Sequence, residues 1–222
     1  MRTGAGDRVQ PGLLVISVRT LAISGVATLL AIVVGVPIGY LIARRPFFGR
    51  TALLGFVNTG MGMPPVVVGL VVWLVLVRNG PFGPLGLIYT PSAMMLAQFL
   101  LATPVIVGFT TASFQALPPR LSDLLRSLGA GPFRTAWLLA REAHIGLLAA
   151  VMAAFGAVVS EVGASMIVGG NLARSTRVLT TAIVTETSRG DVERALLLGI
   201  VLFALSLVVS LVLTVVQQRN RP

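Results

Sequence analysis

LPPRLSDLLRSLGAGPFRTAWLLAREAH, residues 117–144, is the stretch that decides the fold. It is too long for a turn, too charged to cross a membrane, and flanked on both sides by strongly apolar sequence. Leu121, Leu124, Leu125 and Leu128 recur at the i, i+3, i+4, i+7 spacing of one helical face, with Arg120, Ser122, Asp123 and Arg126 elsewhere. Gly129, Ala130 and Gly131 interrupt the run, and Pro132 suits the first turn of a new helix. Phe133, Ala136, Trp137 and Ala140 then mark a second apolar face. Two short helices meeting at a glycine corner are expected. Periodicity alone fits an amphipathic hairpin on a bilayer surface as well as a corner gripped by a partner.

Around this stretch the chain is written for lipid. Of 222 residues, 55% are hydrophobic and 11% charged, with mean hydropathy +0.94. A soluble domain has about 25% charged residues. A spanning helix needs about 20 mostly apolar residues, and segments near 13–43, 53–77, 93–116, 145–168 and 195–216 qualify. None shows the period-two alternation of a membrane barrel strand. The expected fold is an all-α integral membrane domain with five transmembrane helices, residues 1–12 forming a flexible tail. Pro37, Pro64, Pro65 and Pro104 fall inside spans, and kinks are expected in the second and third.

All 17 basic residues are Arg, and the net charge is +10. A phosphate-binding GxxxxGK[ST] loop needs a Lys that this chain lacks, so any ATP must be hydrolysed on another polypeptide. The arginines punctuate apolar segments instead of forming a stripe with stacking aromatics, which argues against a nucleic-acid partner. There is no Cys and one His, His144, so no cluster of metal ligands forms from those residues. The acids are scattered, and no nucleophile with a base is apparent.

FGAVVSEVGASMIVGGNLARSTRVLTTAIVTETSRGD, residues 155–191, holds the remaining candidates. Glu161 lies in an apolar span, where an ionisable group marks either a transport path or a carboxylate bonded across helices by Ser, Thr or Asn. Ser160, Gly163, Ala164 and Ser165 beside it suit close helix packing or a narrowing of the path. Asn171, Arg174 and Arg177 follow on a polar loop. Guanidiniums and backbone amides there are good oxyanion donors. Weak anion attraction, docking of an acidic binding protein and an ordinary solvated loop all remain open. Gly35 and Gly39 form a small-xxx-small pair expected to pack within the chain.

Two segments carry a resemblance. Asp123 to Gly129 followed by GAGPF resembles the EAA loop of ABC-transporter permeases, in which an acidic residue precedes a glycine by six positions. Here Asp123-Leu124-Leu125 stands for the family's Glu-Ala-Ala, and Arg141-Glu142 for its frequent Leu-Pro. SEVGA, MIVGGN, TRVLTTAI and ETS, with GVPIGYLIARR and MPPVVVGL earlier, resemble tungstate-type permeases within the molybdate and sulfate group of type I importers.

The resemblance implies a permease subunit that is not itself an enzyme and binds no cofactor. Two copies of a separate ATPase would carry ATP and Mg. An extracytoplasmic oxyanion-binding protein and a second copy of the chain are the other implied partners. Asp123, Leu124, Leu125, Leu128, Gly129, Ala130, Gly131, Pro132 and Phe133 would form the ATPase-coupling loop. That places the loop in the cytoplasm of a prokaryotic cell, with the amino terminus outside and the carboxyl terminus inside. The implied cargo is tungstate, with molybdate, sulfate or phosphate as alternatives. An ion-coupled carrier using Glu161 and a non-transporting membrane scaffold are the rivals from other classes.

Overall fold

A computed structural model describes residues 12–219, so the tail expected over 1–12 lies almost wholly outside the described residues. Every long apolar run becomes helix, because a chain in lipid must satisfy its backbone within each segment. The first helix, α1 (Leu13–Arg44), has 32 residues and extends about 48 Å at ~1.5 Å per residue. Its buried side is a stripe of mostly small residues, including Thr20, Ala27, Ala31, Gly35 and Gly39. Against that stripe lies α4 (Pro91–Gln115), the centre of the bundle. The start of α4 is set by Pro91 in its first turn and by Thr90, whose Oγ1 accepts from Ala93 N at 3.4 Å.

The expected second span is not one helix. It divides into α2 (Arg50–Met61) and α3 (Pro65–Leu76), bent by 101° across Gly62, Met63 and Pro64. Pro64 and Pro65 offer no N–H groups to continue α2, and Pro65 opens α3 instead. The third span behaves differently from expectation, since α4 runs unbroken through Pro104.

Beyond α4, the amphipathic pair α5 (Pro119–Ser127) and α6 (Pro132–Glu142) leads to α7 (His144–Val159) with a 73° bend at Ala143. The expected fourth span also needs correction. It stops at Val159 and resumes after Ser160, Glu161 and Val162 as the short α8 (Gly163–Gly169). A polar loop, 170–178, then leads into α9 (Leu179–Ser188), and α10 (Val192–Arg219) closes the chain. Among the described residues α1, α4 and α10 are each long and apolar enough to cross a bilayer, and up to five spans result if each of the bent pairs α2–α3 and α6–α7 counts as one. Among the described residues α10 is the least embedded span, with 6% of its most apolar window buried.

Close approach of α1 and α4 depends on the two glycines. A Cβ on Gly39 would lie 2.7 Å from Thr110 Cβ and 2.9 Å from Val107 O, and one on Gly35 would lie 2.7 Å from Ile106 Cγ2. The pair therefore serves packing within the chain, and Thr111 Oγ1 donates to Gly39 O at 3.3 Å across the seam. Gly25, on the same helix, has no atom within 4 Å of such a Cβ. The same chemical change should thus have opposite signs at the two sites. Gly39→Ala is expected to destabilise by about 1–3 kcal/mol through overpacking, whereas Gly25→Ala gains ~0.5–1 kcal/mol of helix stability. Thermal unfolding in one detergent checks the pair, and equal shifts would contradict the seam.

Candidate functional site

The corner at the end of α5 is a Schellman closure. Ala130 N donates to Leu125 O at 3.0 Å and Gly129 N to Arg126 O at 2.9 Å, with Gly129 at φ +83°. A side chain there would strain the backbone although nothing crowds its Cβ position. Gly131 precedes α6, Pro132 occupies its first turn, and Thr135 Oγ1 donates to Gly131 O at 3.0 Å.

The leucine stripe of α5 is split. Leu121 and Leu125 pack against the buried Phe114, Leu139 and Ala143, while Leu124 and Leu128 are exposed. Likewise α6 does not bury the face read from its sequence. Thr135 and Leu139 point inward, and Phe133 and Trp137 are 91% and 66% exposed. The corner therefore presents four large apolar side chains outward, with Asp123 and Ala130 beside them, exposed and half-buried respectively.

At the break in the fourth span, Glu161 acts on backbone. Its Oε1 accepts from Ala164 N at 2.9 Å, capping α8, and its carbonyl accepts from Thr180 Oγ1 at 3.1 Å. The bond across helices is thus made by the Glu161 main chain, and its carboxylate is used locally. Ser160 is exposed and donates to Gly156 O at 2.8 Å. Ala164 and Ser165 are buried: Ala164 crosses Gly69 of α3, and Ser165 Oγ accepts from Gln98 Nε2 at 3.3 Å. Gly163 is half-buried and packs beside Val66. Of the five residues read as path or gate, only Ser160, Glu161 and Gly163 retain accessible surface of any extent.

The polar loop is an ordered knot. Asn171, at φ +50°, donates from Nδ2 to Thr185 Oγ1 at 2.6 Å and accepts from Arg177 Nε at 3.2 Å. Thr176 Oγ1 accepts from Leu172 N at 2.8 Å and donates to Gly169 O at 2.5 Å. Arg177 is buried, and of the two loop arginines Arg174 is the exposed one. Burial and then Arg189 lower the Arg177 guanidinium from its ordinary value, Glu186 opposes them, and Arg194 adds to the lowering. It stays charged regardless. The buried Glu186 meets Arg189 at 3.3 Å.

Arg19 ties this knot to α1 and was given no role by the sequence reading. Its Nη1 donates to Arg177 O at 3.0 Å and Ala173 O at 3.4 Å, and its Nη2 to Arg174 O at 2.9 Å. The adjacent Thr20 adds a further tie, its Oγ1 accepting from Leu179 N at 2.9 Å. The available signal was a charge inside an apolar span, the same signal that singled out Glu161.

The described residues thus form an all-α bundle of apolar helices with an amphipathic corner between them. Residues 35–222 match the family of binding-protein-dependent transport system inner membrane components, and the chain belongs to that family, the permease subunits of ABC importers. It is 42% identical over 207 residues to a probable anion ABC transporter permease protein of Haloferax volcanii, covering 91% of this chain and 89% of the relative. It is 37% identical over 196 residues to the tungstate uptake system permease protein TupB of Peptoclostridium acidaminophilum, covering 88% and 86%. Its fold is similar to a permease chain of the inward-facing methionine ABC transporter MetNI, with a TM-score of 0.72 at 19% identity, covering 95% of this chain and 96% of that one.

Arg19→Gln removes a fixed guanidinium from three carbonyls. Hydrogen bonds to a charged group contribute about 1.5–3 kcal/mol, so faster amide exchange in 172–179 and a lower unfolding temperature are expected. Unchanged exchange in that segment would remove Arg19 from its positioning role.

Proposed function

We propose that this chain forms one half of a homodimeric channel importing a tetrahedral oxyanion, tungstate, driven by two copies of a separate ATPase that holds ATP and Mg. An extracytoplasmic binding protein delivers the anion, and its specificity sets the cargo. The observation that carries the proposal is the outward apolar tip of the α5–α6 corner. Leu124, Leu128, Phe133 and Trp137 are exposed at a rigid glycine closure, an arrangement with no purpose in a helix pair packed only on its own bundle. Seated in an ATPase groove, the tip makes the loop cytoplasmic, and the amino terminus then lies outside and the carboxyl terminus inside. ATP binding closes the motor pair and, through the corner, rocks the two permeases between inward-open and outward-open states.

The tungstate assignment draws on the relative named for tungstate uptake and the one named for an anion. Arg174 is the exposed cation on the loop facing the binding protein, where it gives weak attraction without the tight capture that would oppose release. The path runs past Ser160 and Glu161. Since the Glu161 carboxylate is engaged with the backbone of α8, no observation favours an ion-coupled carrier built on it.

Phe133→Ala leaves the fold intact, because its side chain is exposed, but removes about 1.5–3 kcal/mol of burial at an interface. Roughly tenfold weaker ATPase association is expected on copurification, and a greater loss for Gly129→Val, which distorts the corner. Retained association in both would refute the docking role. For cargo, ATPase stimulation should be compared with binding proteins loaded with tungstate, molybdate, sulfate and phosphate. Strongest stimulation by the tungstate carrier is expected, and equal stimulation by molybdate and sulfate carriers would remove tungstate.

A further inference from the structure

Between the end of α1, the end of α4 and the α5–α6 pair lies a half-open cavity of about 980 Å³, whose rim includes the exposed Asp123, Arg126, Phe133 and Trp137. Arg44, Arg45 and Arg126 are among the residues that line it, against one acidic residue, Asp123. Arg44 is the unusual member. Its Nε and Nη2 are buried and have no hydrogen-bond partner among the described residues. Elsewhere the chain answers such groups. Arg50 donates to Ile42 O at 2.8 Å, Arg177 to Asn171, and Arg19 to three carbonyls.

Two buried guanidinium nitrogens without acceptors are costly unless an anion compensates them, and Arg44 as a whole is half-buried. Its planar fork matches the edge of a tetrahedral oxyanion, and a side-chain rotation within the cavity presents that fork to a ligand. Tyr40 and Ser122 add hydroxyls to the same wall. The space far exceeds a bare oxyanion and accommodates one that carries an organic group.

We propose that this cavity binds a phosphate-class oxyanion, held by Arg44 with Arg45 and Arg126, separately from the transported cargo. The inference does not rest on the cargo or on the corner's docking role. Two sources share this chemistry: the phosphodiester of an anionic lipid and a free inorganic oxyanion. Phe47 and the fully exposed Phe48 follow the lining residue Arg45 in the chain and supply apolar surface suited to acyl chains. A ligand seated there contacts both α1 and the α5–α6 pair and braces one against the other.

The test uses the full chain in detergent. Native mass spectrometry with phosphatidylglycerol or phosphatidylcholine reads the lipid arm. Fluorescence of Trp137, which lines the cavity, titrated with inorganic phosphate and with tungstate in the Trp73→Phe background, reads the free-anion arm. Selective retention of phosphatidylglycerol identifies the lipid source. A saturable Trp137 response to either inorganic anion identifies the free one. In whichever arm responds, Arg44→Gln is expected to weaken binding about tenfold or more, while Arg78→Gln, on the exposed loop after α3, leaves it unchanged. Should Arg44→Gln fail to fold, Arg126→Gln at an exposed position replaces it, with a smaller loss expected. Absence of selective binding in both arms, or equal binding by the arginine variants and the native chain, overturns the site.

Discussion

Backbone N–H and C=O groups away from water must be answered, and in this molecule the helices stop at places where the answer has to come from elsewhere. Around α8 the ends are tied by side chains: the Glu161 carboxylate takes Ala164 N–H, Thr176 bridges Leu172 and Gly169, and Thr181 takes Val178 N–H. The Arg19 guanidinium donates to three carbonyls of the loop, those of residues 173, 174 and 177. These bonds hold the loop between α8 and α9 in one conformation and tie it, with the start of α9, to α1.

Packing supplies the second requirement. The small residues along α1 let α4 approach, and Gly69 lets α3 cross α8 at Ala164 with backbone nearly touching backbone. Such crossings gain dispersion contacts where lipid removes the hydrophobic drive between helices. The large apolar side chains that result on the outside of α10 and α3 face lipid or further protein, as their exposure requires.

The existence of the long helices was legible in the sequence because apolar length is a strong signal, and the glycine corner because Gly129 and Pro132 act locally. The divided spans were less so. Pro64 and Pro65 announced a disturbance in the second span, but the same residue type at Pro104 left α4 continuous. Nothing apolar distinguishes Ser160–Val162 from its flanks strongly enough to show that α7 ends there. Facing was the hardest to read. Leu121, Leu124, Leu125 and Leu128 share a helical stripe about two residues wide, and only tertiary contacts decide that Leu121 and Leu125 go inward. The candidate loop cations divided for a similar reason: Arg174 and Arg177 look equivalent in sequence, but Arg177 is buried and donates to an asparagine whose backbone adopts a left-handed conformation.

Only one residue, Ala143, separates α6 from α7, and α7 ends directly at the interruption that Glu161 caps. With 16 residues, α7 is a rod of about 24 Å. Tilting it by about 5° sweeps its tip through roughly 2 Å over that length, comparable to the reach of a hydrogen bond. The helix thus joins the α5–α6 corner to the interruption at Glu161 through one straight element, so that a small tilt at one end corresponds to a displacement of hydrogen-bond size at the other.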